Sequence, residues 1–283
     1  MQIEDTIGSL RLAVSNWRER GHSVAFVPTM GNLHAGHLRL VETARQHADR
    51  VVVSIFVNPT QFGEGEDFDS YPRTPAEDVA QLHEVGTALL FTPSIAEVYP
   101  VQNRTAIEVR GLSDELCGAH RPGHFSGVAT VVCKLLNMVQ PDMAFFGEKD
   151  FQQLIVIRSM VDDLNMPVRI QGVATVREAD GLAMSSRNAY LTEAERKLAP
   201  KLYQTLCSAA DYIRSGERRY RNLEQRLLDR LRDAGFEPDY VTVRCSGDLA
   251  VAGEQDRALV ILAAARLGKA RLIDNLQFTL SDD

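Results

Sequence analysis

The sequence predicts an α/β protein in which a doubly wound parallel sheet forms an N-terminal domain and a smaller α+β domain follows. Helical and strand patterns alternate over the first 91 residues, an order typical of doubly wound sheets. The run Val51–Val57 is almost continuously apolar, as in a strand covered on both faces. After Val176 the alternation gives way to two long helical patterns and short strand patterns. We therefore expect domains at 1–176 and 177–283.

The first part of the N-terminal domain is predicted to contain three helix–strand pairs. By periodicity and turn signals these are a helix over 7–17, a strand over 24–27, a helix from 34 to about 44, a strand over 51–57, a helix over 75–84 and a strand over 87–91. The helix over 75–84 has the clearest start, with Thr74 as N-cap, Pro75 at the first position and Glu77 completing a capping box. Pro59 forbids simple continuation of the preceding strand.

The remaining elements are predicted by the same signals. In order they are a strand over 105–109, a helix over 128–139, a strand over 143–146, a helix from 151 to about 163, a strand over 168–176, helical stretches over 193–215 and 220–234, and short strands near 240–243, 259–265 and 270–274. Ligands of such parallel sheets bind at the carboxyl ends of the strands. We therefore expect polar residues that directly follow strands to share one crevice.

The first strand ends at a turn, Pro28–Leu33, and His34-Ala35-Gly36-His37 then opens a helix. The first turn of a helix has unpaired backbone N–H groups and the positive end of the helix dipole, so phosphates bind there. Two imidazoles three residues apart at this entrance can donate hydrogen bonds to a polyphosphate. An isolated pattern of this kind is as often a plain strand–helix turn with surface histidines.

Three further polar clusters follow predicted strands or lie in loops. Asn58 and Gln61 follow the second strand, Gly147–Asp150 follows a later strand, and Met184–Arg187 lies in the loop after the sheet. Alone, each is explained as a turn cap, a solvated helix start or an ordinary loop, and His120 and His124 as loop histidines. Together they equip a site for in-line attack on the α-phosphate of a nucleotide, because Lys149 and Arg187 neutralise phosphate charge.

Three carboxylates are candidate ligands for the Mg²⁺ that would accompany such a nucleotide. They are Glu77 and Asp78, or alternatively Asp150. Carboxylate oxygens suit Mg²⁺, which in nucleotide sites also touches phosphate oxygens. No histidine–cysteine–carboxylate spacing suggests zinc.

Composition bounds the choice of partners. The chain has 283 residues with 31 Lys and Arg against 38 Asp and Glu, a formal charge of −7, which argues against a nucleic-acid or anionic-membrane binder. Its four cysteines form no CxxC pair, as expected of reduced thiols in the cytoplasm. No signal-peptide pattern opens the sequence, and no apolar run approaches the roughly 20 residues that span a bilayer. We expect a cytoplasmic protein.

Six motifs in order resemble the pantoate–β-alanine ligase family, whose members make pantothenate and share the His-x-Gly-His turn with other nucleotidyltransferases. The segments that carry the resemblance are Pro28–His37, Phe56–Phe62, Tyr71–Thr74, Arg121–Phe125, Gly147–Gln153 and Met184–Asn188. They cover the chain from about Val24 to Leu191, and the resemblance is weaker beyond. It implies a Rossmann-like N-terminal domain, a C-terminal lid domain, Mg²⁺ dependence and a homodimer formed through the N-terminal domain.

The resemblance also implies the reaction and the site residues. ATP and (R)-pantoate give pantoyl adenylate and pyrophosphate, and β-alanine then displaces AMP. The implied catalytic residues are His37, His34 and Lys149. The implied ATP-binding residues are Met30, Gly31, Asn32, Leu33, His34, Ala35, Gly36, His37, Gly147, Glu148, Lys149, Asp150, Val176, Met184, Ser185, Ser186 and Arg187. The implied pantoate and β-alanine residues are Gln61, Gln153, Asn58, Phe56 and Tyr71.

Two other functions remain open from the residues alone. An adenylyltransferase that joins a nucleotide to its substrate and stops would share the histidine turn. It would not need the second substrate pocket that Gln61 and Gln153 suggest. A nucleotide-sensing module without catalysis is the third hypothesis.

Overall fold

The structure is a computed structural model that describes residues 1–101 and 103–281. The chain divides into two compact units. The first contains Met1–Glu148 and Val156–Ala174, and the second contains Lys149–Ile155 and the chain from Thr175 onward.

The first unit is built on a six-stranded sheet in which every neighbouring pair of strands is parallel. The strands are β1 (Gln2–Glu4), β2 (Val24–Thr29), β3 (Arg50–Ile55), β4 (Leu89–Phe91), β5 (Met143–Gly147) and β6 (Arg169–Val173). The helices are α1 (Ile7–Glu19), α2 (Ala35–Arg45), α3 (Pro75–Glu84), α4 (Ile95–Val98), α5 (Cys117–His120), α6 (His124–Val139) and α7 (Phe151–Asp163), of which the first five residues of α7 belong to the second unit. Val24–Val27 and Val51–Val53 are buried, as expected for strands covered on both faces.

The order of the strands, β1-β4-β3-β2-β5-β6, fixes where a ligand binds. The chain runs outward from β2 through β3 to β4, and β5 and β6 then lie on the other side of β2. The direction of winding therefore reverses beside β2, and the crevice outside the carboxyl ends of the strands at this point is the usual binding site of such sheets. The histidine turn directly follows β2.

The second unit packs helices against an antiparallel sheet of order β7-β8-β9. Its elements are α8 (Glu193–Leu198), α9 (Lys201–Arg214), α10 (Tyr220–Asp233), β7 (Glu237–Cys245), β8 (Ala258–Leu267) and β9 (Ala270–Thr279). Apolar residues of α9, α10 and the sheet form its core. Arg177 donates two hydrogen bonds to the buried Asp274, at 2.7 and 2.9 Å, and lies over the ring of Tyr203.

The predicted fold class is confirmed, whereas four local predictions need correction and one strand was missed. Residues 105–109 form no strand, and β1 was not predicted. The stretch 193–215 is two helices because Pro200 has no N–H to continue the first one. Helix α6 begins at His124, four residues before the predicted start. Thr74 forms no capping box, because its hydroxyl instead donates to Asp78.

In the part of the chain that the structure describes, no helix is both long and apolar enough to cross a membrane.

Candidate active site

The two histidines cap the helix that they were predicted to open. His34 has extended backbone angles and is the N-cap of α2, so it precedes the helix, whereas His37 lies within its first turn. The N–H of Gly36 donates to Nδ1 of His34 at 3.1 Å, and the N–H of His34 donates to Nδ1 of His37 at 3.4 Å. The ring centroids are 4.1 Å apart. The rings thus form a reciprocal capping box in which imidazole nitrogens replace the usual oxygens.

This cap fixes the tautomer of both rings. A neutral imidazole has one N–H donor and one acceptor nitrogen, and the hydrogen bond at one nitrogen decides which is which. Because Nδ1 accepts a backbone N–H in both His34 and His37, the proton of each ring lies on Nε2. The helix entrance therefore carries two Nε2–H donors in addition to its backbone N–H groups.

Asp78 of α3 braces the turn that precedes the histidines. Its side chain is buried, and its carboxylate accepts the N–H of Asn32 at 2.9 Å and the N–H of Leu33 at 2.8 Å. Asn32 has a φ of 49° and Gly31 a φ of 80°, so both are left-handed and only glycine adopts this conformation without strain. A Cβ on Gly31 would lie 3.0 Å from Asp78 Oδ2. The brace thus explains why glycine stands at this position.

Asn58 orients the amide of Gln61. Asn58 is buried, and its Nδ2 donates to Gln61 Oε1 and to the carbonyl of Gly127, both at 3.2 Å. With its oxygen engaged, Gln61 presents its NH₂ group as the donor, and this Nε2 lies 3.1 Å from the sulfur of Met30 in the histidine turn. Tyr99 donates to Asn58 Oδ1 at 3.0 Å. Gln61 and the histidine turn are therefore neighbours at one edge of the sheet.

A second set of side chains, not predicted from sequence, supports the backbone of Gln61. His124 Nδ1 lies 2.8 Å from the Gln61 carbonyl, and Arg121 lies 2.9 Å from the other nitrogen of His124. Arg121 also donates twice to Glu66 at 2.6 Å. Burial raises the pKa of Glu66, but the hydrogen bonds and charge of Arg121 outweigh it and lower this pKa to about 2. The segment Arg121–Phe125 carries part of the family resemblance. His124 was interpreted as a loop histidine rather than a ligand, and the structure places it at the start of α6.

Helix α6 also contacts the backbone of the turn that carries Gln61. A Cβ on Gly127 would lie 2.2 Å from the carbonyl oxygen of Thr60, so no larger residue fits without moving the backbone. Helix α6 therefore packs directly on the short 3₁₀ turn Pro59–Gln61. Phe56 and Tyr71, the other predicted residues of this pocket, are buried.

The remaining predicted residues follow β5 or belong to the second unit. Gly147 ends β5, Glu148–Asp150 forms a 3₁₀ turn, and Gln153 lies in the first turn of α7. Within the second unit, Asn275 Nδ2 donates to the carbonyl of Lys149 at 3.0 Å.

Backbone hydrogen bonds order the loop that carries the last predicted nucleotide residues. The N–H of Met184 donates to the carbonyl of Val176 at 3.0 Å. Ser185 caps the 3₁₀ turn Ser186–Tyr190, accepting the N–H of Arg187 at 3.3 Å.

Asp78, one of the candidate metal ligands, is already engaged in hydrogen bonds. Both carboxylate oxygens of Asp78 accept hydrogen bonds, from two backbone N–H groups and from Thr74, and Glu77 is exposed. Among residues 1–101 and 103–281 no group of three or more histidine, cysteine or acidic side chains is arranged to hold a metal. The observed contacts give Asp78 a bracing role.

The parallel sheet changes its direction of winding beside β2, and at this point a helix begins with several hydrogen-bond donors next to the oriented amide of Gln61. This arrangement defines a nucleotide-binding α/β enzyme of the His-x-Gly-His class. Comparison with known proteins identifies the family. The family model for pantoate–β-alanine ligase matches residues 2–277. Pantothenate synthetase of Methylococcus capsulatus is 57% identical over 99% of both chains, and that of Alcanivorax borkumensis is 55% identical over 100% of both.

Solved structures agree with this result. Pantothenate synthetase from Thermus thermophilus has a TM-score of 0.92 at 46% identity, covering 98% of this chain and 99% of that one. Pantoate–β-alanine ligase from Francisella tularensis, complexed with β,γ ATP and β-alanine, has a TM-score of 0.82 at 34% identity, covering 98% and 97%. The chain belongs to the pantoate–β-alanine ligase family. The resemblance seen in the sequence motifs is thus confirmed, and the protein is an enzyme.

Proposed function

We propose that this enzyme joins (R)-pantoate to β-alanine at the expense of ATP, in two steps. A carboxylate oxygen of pantoate attacks the α-phosphorus of ATP, and the bond to the β-phosphate oxygen breaks to release pyrophosphate. The amine of β-alanine then attacks the acyl carbon of pantoyl adenylate, loses a proton and displaces AMP. The proposal depends on one observation. The two histidines that cap α2 through Nδ1 lie beside the oriented amide of Gln61, where the winding of the sheet reverses.

The histidine turn stabilises the charge of the first step. Negative charge grows on the phosphates as pyrophosphate leaves, and donors already held in place stabilise it without further reorganisation. His34 and His37 supply Nε2–H donors, and the N-terminus of α2 supplies backbone N–H groups. Lys149 adds a positive charge to the same phosphates.

The rest of the nucleotide is assigned to the residues that the motifs predict. Met30–His37 and Gly147–Asp150 contact ATP, together with Val176 and Met184–Arg187. Gly31 and Gly36 let the backbone approach the ligand closely, and Arg187 binds phosphate oxygens through its planar fork.

Pantoate is assigned to Gln61 and Gln153, in a pocket bordered by Asn58, Phe56 and Tyr71. Because Asn58 occupies the oxygen of Gln61, the glutamine NH₂ is the group that meets the substrate carboxylate or hydroxyl. A neutral amide binds the carboxylate without a competing charge that would reduce its reactivity. Gln61 also lies near the β-alanine site.

Two further properties belong to the proposal. Mg²⁺ would accompany ATP and would neutralise phosphate charge, with Glu77, Asp78 or Asp150 as the candidate carboxylates beside the phosphate oxygens. Of these, Asp78 also braces the turn. The chain assembles as a homodimer in the cytoplasm, which light scattering of the purified protein and cell fractionation test.

Pyrophosphate and AMP release separate the proposal from its rivals. With ATP and pantoate alone, the ligase forms bound pantoyl adenylate, and AMP appears only after β-alanine is added. A simple adenylyltransferase gives no dependence on the amine, and a nucleotide-sensing module binds ATP without releasing pyrophosphate when pantoate is added. Either result would refute the proposal.

Variants test the residue roles. His37→Ala and Lys149→Ala should each slow adenylate formation by about 10²-fold or more, because each removes charge stabilisation. His47→Ala and Lys197→Ala, at exposed positions, are matched controls and should remain close to wild type. Gln153→Ala should weaken pantoate binding more than ATP binding. Near-wild-type turnover of His37→Ala or Lys149→Ala, or equal loss of both ligands in Gln153→Ala, would remove that residue from its role.

A further inference from the structure

A cavity of about 660 Å³ lies at the edge of the sheet opposite the histidine turn, and its size is typical of small-molecule sites. Arg50, the first residue of β3, lines it together with Trp17 of α1 and Thr87, which precedes β4. The histidine turn instead follows the carboxyl end of β2. Strands of this length put roughly 17–20 Å between the two edges. The cavity is therefore separate from the proposed reaction site.

The cavity carries a local positive charge in an acidic protein. Its charged side chains are Arg45, Arg50 and Asp49, which sum to +1 in a chain whose formal charge is −7. The Asp49 carboxylate already accepts the N–H of Ser23 at 2.9 Å and its hydroxyl at 2.8 Å. These hydrogen bonds lower the pKa of Asp49. Asp49 therefore stays ionised, and Arg45 and Arg50 are the side chains of the cavity that attract an anion.

Both guanidinium groups are held in place with most of their donors unused. A guanidinium has five N–H donors. In the part of the chain that the structure describes, Arg45 donates only to the carbonyl of Val85, at 2.8 Å, and Arg50 only to Nδ1 of His22, at 3.2 Å. Arg45 lies directly against Gly86, where a Cβ would be 2.8 Å from its Cζ. The planar fork of arginine matches phosphate and carboxylate groups.

Thr87 provides an independent observation at the same place. This residue is only 3% exposed, and its Oγ1 has no hydrogen-bond partner among the described residues. Buried hydroxyl groups nearly always have a partner, because leaving one unpaired costs free energy. The hydroxyl oxygen itself is buried, and a rotation of the Thr87 side chain would let it donate to a ligand oxygen in the cavity that this residue lines.

We propose that this cavity binds a small oxyanion, the phosphate or carboxylate group of a metabolite-sized molecule. Its oxygens accept hydrogen bonds from Arg45 and Arg50 and from the hydroxyl of Thr87. The site does not depend on the proposed reaction, because none of its residues belongs to the proposed ATP or pantoate pockets.

Trp17 makes the proposal directly measurable, because it is the single tryptophan of the chain and lines the cavity. Its fluorescence is titrated in the full-length protein with inorganic phosphate and, in a second arm, with acetate, both at constant ionic strength set with NaCl. A saturable change with phosphate or acetate is expected, and the arm that saturates at lower concentration identifies the preferred group. A change that follows ionic strength alone, or no saturable change with either anion, would overturn the proposal.

Variants separate the site from a general salt effect. Arg45→Gln should weaken the fitted dissociation constant at least tenfold, whereas Arg11→Gln, which removes the same charge from α1 outside the cavity, should not change it. Thr87→Val should weaken binding at least threefold without lowering the melting temperature, since it removes an unpaired hydroxyl and keeps the shape. Equal dissociation constants for Arg45→Gln and Arg11→Gln would refute the assignment, as would a Thr87→Val protein that binds like wild type.

Discussion

Asp78 provides the sharpest test of how the fold holds the histidine turn. In Asp78→Ala the N–H groups of Asn32 and Leu33 lose the carboxylate that accepts them at 2.9 and 2.8 Å. An unpaired buried donor costs about 1–3 kcal/mol. Leu33 is buried and Asn32 is partly exposed, so water compensates one donor better than the other. We expect a loss of about 3 kcal/mol.

Thermal unfolding and adenylate formation measure the two consequences. At roughly 2–4 °C per kcal/mol, the melting temperature of Asp78→Ala should fall by about 6–12 °C. The rate of pyrophosphate release should fall by about 10²-fold, because small misplacements of catalytic groups have effects of this size. The matched control is Glu77→Ala, which removes an exposed carboxylate one residue away and should stay within about 0.5 kcal/mol of wild type.

Two outcomes would refute this reasoning. If Asp78→Ala melts within about 2 °C of wild type, on the order of the effect of a surface change, the carboxylate does not brace the turn. If both Asp78→Ala and Glu77→Ala lose activity at unchanged stability and excess Mg²⁺ restores it, the pair binds the metal after all.

Substitutions at three more residues probe the same site. Gly127→Ala should destabilise the protein by about 1–3 kcal/mol and raise the KM for pantoate, because its Cβ meets a backbone carbonyl at 2.2 Å; Gly8→Ala, in open space on α1, is the control. Glu66 has its pKa lowered to about 2, so its ionised form is the stabilising one. The stability advantage of wild type over Glu66→Gln in urea should be complete above about pH 4.5 and disappear as the pH falls towards about 2. His34→Asn should keep the helix cap, since asparagine is a preferred N-cap. It should nevertheless slow adenylate formation by about 10²-fold, because the Nε2 donor is lost. His34→Ala should lose both the helix cap and the Nε2 donor.

The strands of the sheet were predictable where local pattern and burial agree. The run within Val51–Val57 is apolar because β3 is covered on both faces, and the structure places it at the centre of the sheet. β1 could not be predicted in this way, because it has only three residues, they are largely exposed, and they pair with β4, which is distant in sequence. Residues 105–109 show the opposite error: a strand was predicted and none is present. A strand-like pattern forms no strand without a neighbouring strand to pair with.

The chemistry of the site was predictable only as a set of residue types. The pattern of His34 and His37 pointed to an anion site, but it could not show that both Nδ1 atoms cap the helix. Asp78 was predicted only as a candidate metal ligand, with Glu77 or alternatively Asp150, because a carboxylate in a predicted nucleotide site suggests one. Its partners, Asn32 and Leu33, lie 46 and 45 positions away. A hydrogen bond between residues so far apart in sequence cannot be predicted from local patterns and is seen only in the three-dimensional structure.

The capping box has a consequence that reaches beyond stability. A surface histidine exchanges its proton between two nitrogens, so its ability to donate in one direction is intermittent. In His34 and His37 the backbone of α2 occupies Nδ1, and each ring must keep its proton on Nε2 for as long as the helix end is intact. Formation of the first turn of α2 therefore also determines that Nε2 is the donor nitrogen of both histidines. Since electrostatic stabilisation depends on donors fixed before the reaction begins, the same hydrogen bonds that start the helix prepare the site for the charge that develops on the phosphates.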